Sequence, residues 1–179
     1  LTVDGTTMDE NLHNPILDAL ADHQPRTIGD VEAAIRDKDI NLVQMLRAIV
    51  LLLGKNDLAL VQDDADIAVA RPHADRLNAS LLERACRSSE IGSLASPVTG
   101  GGIQVTHLEQ LLLRAYRSGH TTRDELARSV WQTLQALGRR VHKDNQPLKS
   151  EEDNLAELEN MADAFLGKRL PVFKVLQLL

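Results

Sequence analysis

The sequence has few of the residues that most often bind ligands, above all cysteine and aromatic residues. Cys86 is the only cysteine among 179 residues, so the chain can form neither an internal disulfide nor a cysteine zinc cluster. A lone cysteine fits a reducing compartment, and we expect a cytoplasmic protein. Aromatic residues make up 2% of the chain, which disfavours the stacking platforms that bind single-stranded nucleic acid.

Long apolar runs and an excess of positive charge are also missing. The apolar run 49–53 is far shorter than the roughly 20 residues that cross a bilayer, and no signal peptide is visible, so we expect no membrane partner. The formal net charge is −6, which offers no global attraction for a phosphate backbone. The chain starts in strand-like Leu1-Thr2-Val3 without a methionine, which favours a piece of a longer polypeptide.

What is present is a helical pattern interrupted by short apolar runs. Capping residues predict helices that begin near Asn14 and Thr27, and apolar spacing predicts a third helix over 41–53. Two short runs, 58–61 and 67–69, flank an acidic turn and predict a β-hairpin. Three helices followed by a hairpin is the element order of a winged helix.

The fold class is therefore mainly α with small β-hairpins. We expect a winged-helix-like lobe over 1–72 and a helical lobe over 73–179 that carries a short Gly-rich strand pair, or both in one compact domain. Polar composition and Pro147 predict a flexible linker over 139–149, and Pro171 is expected to separate the last helix from an apolar tail.

The Gly-rich strand pair surrounds three successive glycines, Gly100 to Gly102. A phosphate-binding loop would lead its glycines directly into a helix N-terminus, with Lys-Ser/Thr or a third spaced glycine. Here the glycines lead into β-like Ile103-Gln104-Val105. A structural turn is therefore favoured over a ligand loop. Since glycines cost backbone entropy on folding, we expect the three glycines to need positive dihedral angles or a close backbone approach, so that replacing Gly101 strains the turn or blocks that approach.

No catalytic or metal-binding constellation is recognisable. The six histidines are scattered without metal-ligand spacing, and Cys86 is expected to be a small core residue. The acidic residues that follow Ser150 are explained by a helix N-terminus, where negative charge is favoured. We expect no catalytic residue, no metal and no cofactor bound by this chain.

Nucleic-acid binding is the alternative that a winged helix suggests. The third helix contains one basic residue, Arg47, and is apolar nearly all round its second half, so we expect it to be buried rather than to read a DNA groove. The hairpin turn carries Asp63, Asp64 and Asp66, which would repel phosphates. A winged-helix DNA-binding transcriptional regulator therefore stays the alternative function, and we expect no nucleic-acid partner.

Basic residues concentrate in the second half of the chain. On helices, such residues form either a solvated face or a contact with an acidic partner surface. The set comprises Arg114, Arg117, Arg123, Arg128, Arg139, Arg140 and Lys143.

Several segments resemble one bacterial enzyme family. The run from Pro15 to Ala21, the pair Leu77-Asn78 and, above all, the segment Leu94-Ala-Ser-Pro-Val-Thr-Gly-Gly-Gly-Ile103 resemble the non-catalytic C-terminal half of S-adenosylmethionine-dependent methyltransferases with a methyltransferase regulatory domain. That family includes lysine methyltransferases of outer-membrane proteins. The tail that follows Leu170-Pro171 is also similar to the C-terminus of these enzymes.

The resemblance implies an accessory domain that regulates catalysis or presents substrate. Its partners would be the catalytic methyltransferase domain of the same polypeptide and a protein substrate. S-adenosylmethionine would bind in an upstream Rossmann-type domain, because this chain has no strand-Gly-x-Gly-x-x-Gly-helix unit. The residues expected to contact the catalytic domain are Ser96, Pro97, Thr99, Gly100, Gly101 and Gly102.

Overall fold

The computed structural model describes residues 9–144 and 146–179, so the strand-like beginning Leu1-Thr2-Val3 lies outside the described residues. The chain divides into two compact units, the first ending at Val61 and the second comprising Gln62–Leu179. The boundary expected from the sequence, between 72 and 73, falls inside a helix of the second unit. Among the described residues, no helix is both long enough and apolar enough to cross a bilayer.

The first unit is a set of three helices. They are α1 (Glu10–Ala19), α2 (Ile28–Ala34) and α3 (Leu42–Gly54). The predicted cap at Thr27 is confirmed, and Asn41 caps α3 in the same way: each side chain accepts a bond from the backbone N–H three residues on, and the reciprocal side-chain bond is present. The helices share one small core, formed by Ile16, Val31, Ile35, Met45, Ala48 and Leu52.

Two local predictions in this region are wrong. Helix α1 begins at Glu10, with Asp9 as its cap, so Pro15 lies inside the helix rather than at its start. The predicted hairpin does not form: residues 58–63 form neither strand nor helix, and 67–69 lie in a helix. Asp64 and Asp66 occupy the first turn of that helix, where its positive end stabilises them, so the acidic segment starts a helix instead of a turn.

The second unit is larger and contains two short hairpins. Its first half consists of α4 (Asp64–Ala85), β1 (Ser93–Ser96), β2 (Gly101–Gln104) and α5 (His107–Arg117). Its second half consists of α6 (Arg123–Ala136), β3 (His142–Lys143), β4 (Gln146–Pro147), α7 (Glu151–Ala164), a π-helical segment (Phe165–Arg169) and α8 (Leu170–Val175). The expected linker over 139–149 is therefore wrong, because 142–143 pair with 146–147 as the strands of the second hairpin. The mainly α class with small hairpins is confirmed.

Both sheets of the second unit are antiparallel pairs. In the first, Leu94 pairs with Ile103 and Ala95 with Gly102; in the second, His142 pairs with Pro147. The first pair packs on a core that α4 to α8 share, in which the largest fully buried side chains are Phe165, Phe173, Leu82, Leu94, Leu112, Leu113, Leu126, Leu158 and Leu178.

The helix α7 does not end where the sequence predicts. It continues through the π-helical segment into α8, with the Leu170 N–H donating to the carbonyl of Phe165 five residues earlier. A π-helical turn changes the hydrogen-bond register, so the missing N–H and the ring of Pro171 are accommodated within a continuous helix. The expected separation at Pro171 is wrong for this reason.

Candidate functional site

The Gly-rich hairpin turn is an ordered structure, held from three sides by side chains of its own unit. On one side, the Asn78 amide of α4 pairs with both backbone groups of Ala95: the Ala95 N–H donates to Oδ1 at 2.8 Å, and Nδ2 donates to the Ala95 carbonyl at 2.8 Å. Asn78 is fully buried, so these bonds replace water completely. The side chain thus occupies the place of a third strand beside β1.

The turn itself is fixed by Gln62. Its backbone N–H donates to the carbonyl of Val98 at 2.8 Å, and its Nε2 donates to the carbonyl of Pro97 at 2.9 Å. Gly100 has a φ of +68°, and a Cβ built on it would lie 2.4 Å from the Gln62 Nε2 atom. Gly100 is therefore required both by its backbone angle and by the close approach of Gln62.

The other two glycines do not have this role. A Cβ on Gly101 would meet nothing within 4 Å, and its φ is not positive. A Cβ on Gly102 would lie 3.4 Å from the Cβ of Ser93, an ordinary contact distance. The expectation of a positive angle or a close approach is confirmed at Gly100, at the end of the turn, and is wrong at Gly101.

The six predicted contact residues separate into an inner and an outer group. Ser96 is 3% exposed, and its hydroxyl donates to the carbonyl of Leu176 near the C-terminus at 2.7 Å and accepts from the Thr99 N–H. Pro97 is also buried. These side chains are used inside the second unit. Of the six, only Gly100, Gly101 and Gly102 are exposed, and Thr99 is half-buried.

Gln110, at the first turn of α5, completes the support of this hairpin. It is fully buried, and its Nε2 donates to the carbonyls of Ile91 at 2.7 Å and Val105 at 2.9 Å. Asn154 has the same function at the second hairpin, where its Oδ1 accepts from the Val141 N–H at 2.8 Å. The sequence analysis missed Gln110 and Asn154, although each interrupts the apolar stripe of a helix at a buried position.

The basic residues do not form one surface. Arg114 binds Glu83, with 2.9 Å between Nε and Oε1, and Lys143 binds Glu157 at 2.8 Å. Arg123 lies within ion-pair distance of Asp124, Glu159 and Asp163, and Arg140 donates to the carbonyls of Leu148 and Lys149. Arg140 thus bonds backbone only, and neither an ion pair nor a side-chain hydrogen bond is found among the described residues for Arg117, Arg128 and Arg139.

No convergent catalytic group is found in the described part of the chain. His107 Nε2 lies 2.8 Å from the carbonyl oxygen of Ala85, and His13 Nδ1 lies 2.8 Å from that of Asp9, so both rings are held by backbone. Burial raises the pKa of Cys86, which keeps it a thiol at neutral pH. Within residues 9–144 and 146–179, no three His, Cys, Asp or Glu side chains are placed to hold a metal ion.

Helix α3 presents a large exposed apolar surface. Its buried residues, Met45, Ala48 and Leu52, lie on one side, and the opposite half of the helix is not covered by its unit. We call this half the α3 outer face; its apolar members and their exposed fractions are Leu42 (47%), Val43 (58%), Leu46 (37%), Val50 (65%) and Leu51 (54%). The expectation that α3 is buried on all sides is wrong, because the two other helices of its unit, α1 and α2, cover only one side of it.

Fold and site together define a two-unit helical protein with an exposed apolar helix face and a rigid Gly-rich hairpin. No protein-family profile matches the chain, and no solved structure matches it. The chain is 30% identical over 165 residues to the uncharacterized protein sll1526 of Synechocystis sp.. This alignment covers 92% of the chain but 32% of that protein, so the chain spans about a third of the length of the curated relative it matches.

Proposed function

We propose that this chain is a non-catalytic regulatory or substrate-presenting domain of an S-adenosylmethionine-dependent methyltransferase, which acts by protein contact in the cytoplasm. The observation that carries the proposal is the α3 outer face. Five exposed apolar side chains share this half of α3 with Arg47, and exposed apolar patches commonly mark sites of protein contact. The methyltransferase context is supported by the resemblance of the segment 94–103.

The length of the relative supports the same proposal. Because the matched region is 32% of sll1526, a homologous segment occurs there as one part of a longer polypeptide. An accessory domain needs a neighbour to act on, and such a polypeptide provides one. In this proposal, the α3 outer face contacts the catalytic domain or its protein substrate, and S-adenosylmethionine binds outside this chain.

A charge placed on the α3 outer face tests the contact. We expect Val50→Asp in the longer polypeptide to change the rate of methyl transfer from labelled S-adenosylmethionine, because a carboxylate would have to be desolvated in the contact. Thermal stability should hold, since Val50 is 65% exposed. Val69→Asp on α4 is the matched control, because Val69 is 71% exposed and lies in the other unit. Equal rates of methyl transfer in the wild type and both variants would show that the α3 outer face is not the contact surface.

The absence of cofactor binding by this chain is tested separately. Titration of the chain with S-adenosylmethionine in a calorimeter should give no saturable heat, because the chain has no glycine-rich turn that leads from a strand into a helix. Saturable binding at micromolar concentration would contradict the accessory role while leaving a methyltransferase context open.

DNA binding by the second unit is a second candidate, and a specific observation favours it. Helix α5, a turn, α6 and the hairpin β3–β4 follow one another as the last two helices and the hairpin of a winged helix do. Arg128, Gln132 and Gln135 lie on one exposed stripe of α6, and Arg139 follows the end of the helix. Arginine and glutamine are residues that contact phosphates and base edges.

Fluorescence anisotropy with random duplex DNA at two salt concentrations separates the two candidates. The acidic start of α7, at Glu151, Glu152 and Asp153, disfavours phosphates near this region, and we expect no binding at physiological salt. Tight, steeply salt-dependent binding that Arg128→Ala weakens would favour the regulator instead. Arg47→Ala, on α3 of the first unit, is the control for a non-specific effect of charge.

A further inference from the structure

The first hairpin has one closed edge and one open edge. Because Asn78 bonds both backbone groups of Ala95, these groups point away from β2. Successive residues of a strand point their backbone N–H and C=O groups to opposite sides. The N–H and C=O groups of Leu94 and Ser96 therefore point toward β2. The register pairs Ala95 with Gly102 and Ser93 with Gln104. The backbone N–H and C=O groups of Gly102 and Gln104 therefore point outward from β2, away from β1.

The outward groups of β2 have no partner. Among the described residues, no hydrogen bond is made by the backbone N–H or C=O of Gly102 or Gln104. Gly101, Gly102 and Gln104 are exposed, and the two glycines have no side chain to keep another backbone away. The edge therefore presents two N–H groups and two C=O groups to an incoming strand.

Apart from the shortness of β2, which has four residues, the protections that edge strands usually carry are missing here. Natural sheets guard an open edge with a charged side chain, a proline or a bulge. The strand β2 contains none of these, and the whole segment 91–106 has no charged residue in a chain that is 26% charged. Such a strand can lie beside a copy of itself without placing like charges opposite each other.

We propose that two copies of this chain associate by antiparallel pairing of their β2 strands about a two-fold axis at Ile103. In that register, Gly102 of each copy lies opposite Gln104 of the other, and each such pair exchanges two N–H···O bonds. The Gln104 side chain has room because it faces a residue without a Cβ. The two Ile103 side chains form the central cross-strand pair, and two hairpins become one four-stranded sheet.

Substitution by proline tests the pairing. Gly102→Pro and Gln104→Pro each remove an N–H that points out of the hairpin, so the internal hydrogen bonds of the hairpin remain. The association constant should be measured by sedimentation equilibrium up to about 1 mM, because a contact this small gives weak complexes. Each variant loses two of the four bonds across the two-fold axis, and we expect it to weaken association by about tenfold or more. Gly101→Ala, whose Cβ points into open space, should associate as the wild type does.

Amide hydrogen exchange of the wild-type chain gives a readout that does not depend on any variant folding. The Gly102 and Gln104 amides should exchange more slowly as protein concentration rises. The Ser93 amide, which points outward from β1, should exchange equally fast at every concentration. A chain that stays monomeric to about 1 mM overturns the proposal. It is also overturned by association that both folded proline variants retain, or by Gly102 and Gln104 exchange that is independent of concentration.

Discussion

At the scale of single residues, the structure requires glycine at one position of the turn and not at the next. Gly100 has a φ of +68° and faces Gln62, whereas Gly101 faces open space. We expect Gly100→Ala to lower the free energy of unfolding by about 1–3 kcal/mol, because it combines an unfavourable backbone angle with displacement of Gln62. Gly101→Ala should change it by less than about 0.5 kcal/mol. Thermal melts of the two variants side by side measure the difference, and equal melting temperatures would show that the turn is not constrained at Gly100.

The buried amide of Asn78 is the second residue whose effect can be predicted. Asn78→Ala leaves the half-buried Ala95 N–H and C=O without partners and removes a fully buried side chain, and we expect a loss of about 2–4 kcal/mol in the free energy of unfolding. The exposed Asn160 on α7 is the matched control, and Asn160→Ala should change stability by less than about 0.5 kcal/mol. Chemical denaturation measures both. A small effect at Asn78 would mean that water replaces the amide at β1.

The position of Asn78 on its helix could have identified it from the sequence. It lies midway between Ala74 and Leu82, four residues from each, on the buried side of α4. A polar side chain at an apolar stripe position must find a hydrogen-bond partner, so the spacing alone indicates a structural amide. The identity of that partner, Ala95, depends on how the hairpin folds back and is not contained in local spacing.

At the scale of elements, the start of α5 couples a helix cap to the π-helical segment. Burial opposes ionisation of Glu109, but the Thr106 N–H, the Arg169 guanidinium and the Thr106 hydroxyl outweigh it and hold the pKa of Glu109 below its usual value. Arg169 lies 2.5 Å from the Glu109 carboxylate and also stacks over the ring of Phe173 at 4.8 Å. One carboxylate therefore joins α5, the π-helical segment and α8.

Because of this contact, the stability of the fold depends on pH, and the lowered pKa of Glu109 determines the direction of that dependence. The unfolded carboxylate titrates near 4.5, so the stabilisation by Glu109 is complete above that pH and is lost as the pH falls through the lower folded pKa. We expect Glu109→Gln to be less stable than wild type at neutral pH and to approach it in acid. Denaturation at a series of pH values measures the convergence, and parallel curves for the two proteins would contradict it. Arg169→Gln should remove part of the same dependence.

The first residues of helices could be predicted from the sequence where a capping residue marks them. Thr27, Asn41, Thr122 and Ser150 each cap a helix as their sequence spacing indicates, because a cap is completed by residues three positions away. Local signals could not decide whether 58–69 would form a hairpin or begin a helix, because acidic residues suit both a turn and a helix start. The second hairpin was missed because its support, Asn154, is distant from it in the chain.

At the scale of the whole molecule, the two units differ in the size of their cores. The first has six buried apolar residues, whereas the second has a cluster of 20. The functional surfaces that we propose are divided between them: the α3 outer face belongs to the first unit, and the open β2 edge to the second. The sequence identified the Gly-rich hairpin, but exposure of α3 depends on how many helices surround it, which apolar spacing cannot specify.

The difference in core size predicts that the second unit is stable without the first. We expect the fragment 62–179 to unfold in one cooperative thermal transition, because its buried cluster is drawn from α4 to α8 and is complete without residues of the first unit. The fragment 9–61 should melt broadly or stay partly unfolded, since a core this small scarcely offsets the conformational entropy of its helices. Circular dichroism melts of both fragments beside the full chain make the comparison. A fragment 62–179 without a cooperative transition would show that its core needs the first unit, and the division of the chain at Val61 would then have no thermodynamic meaning.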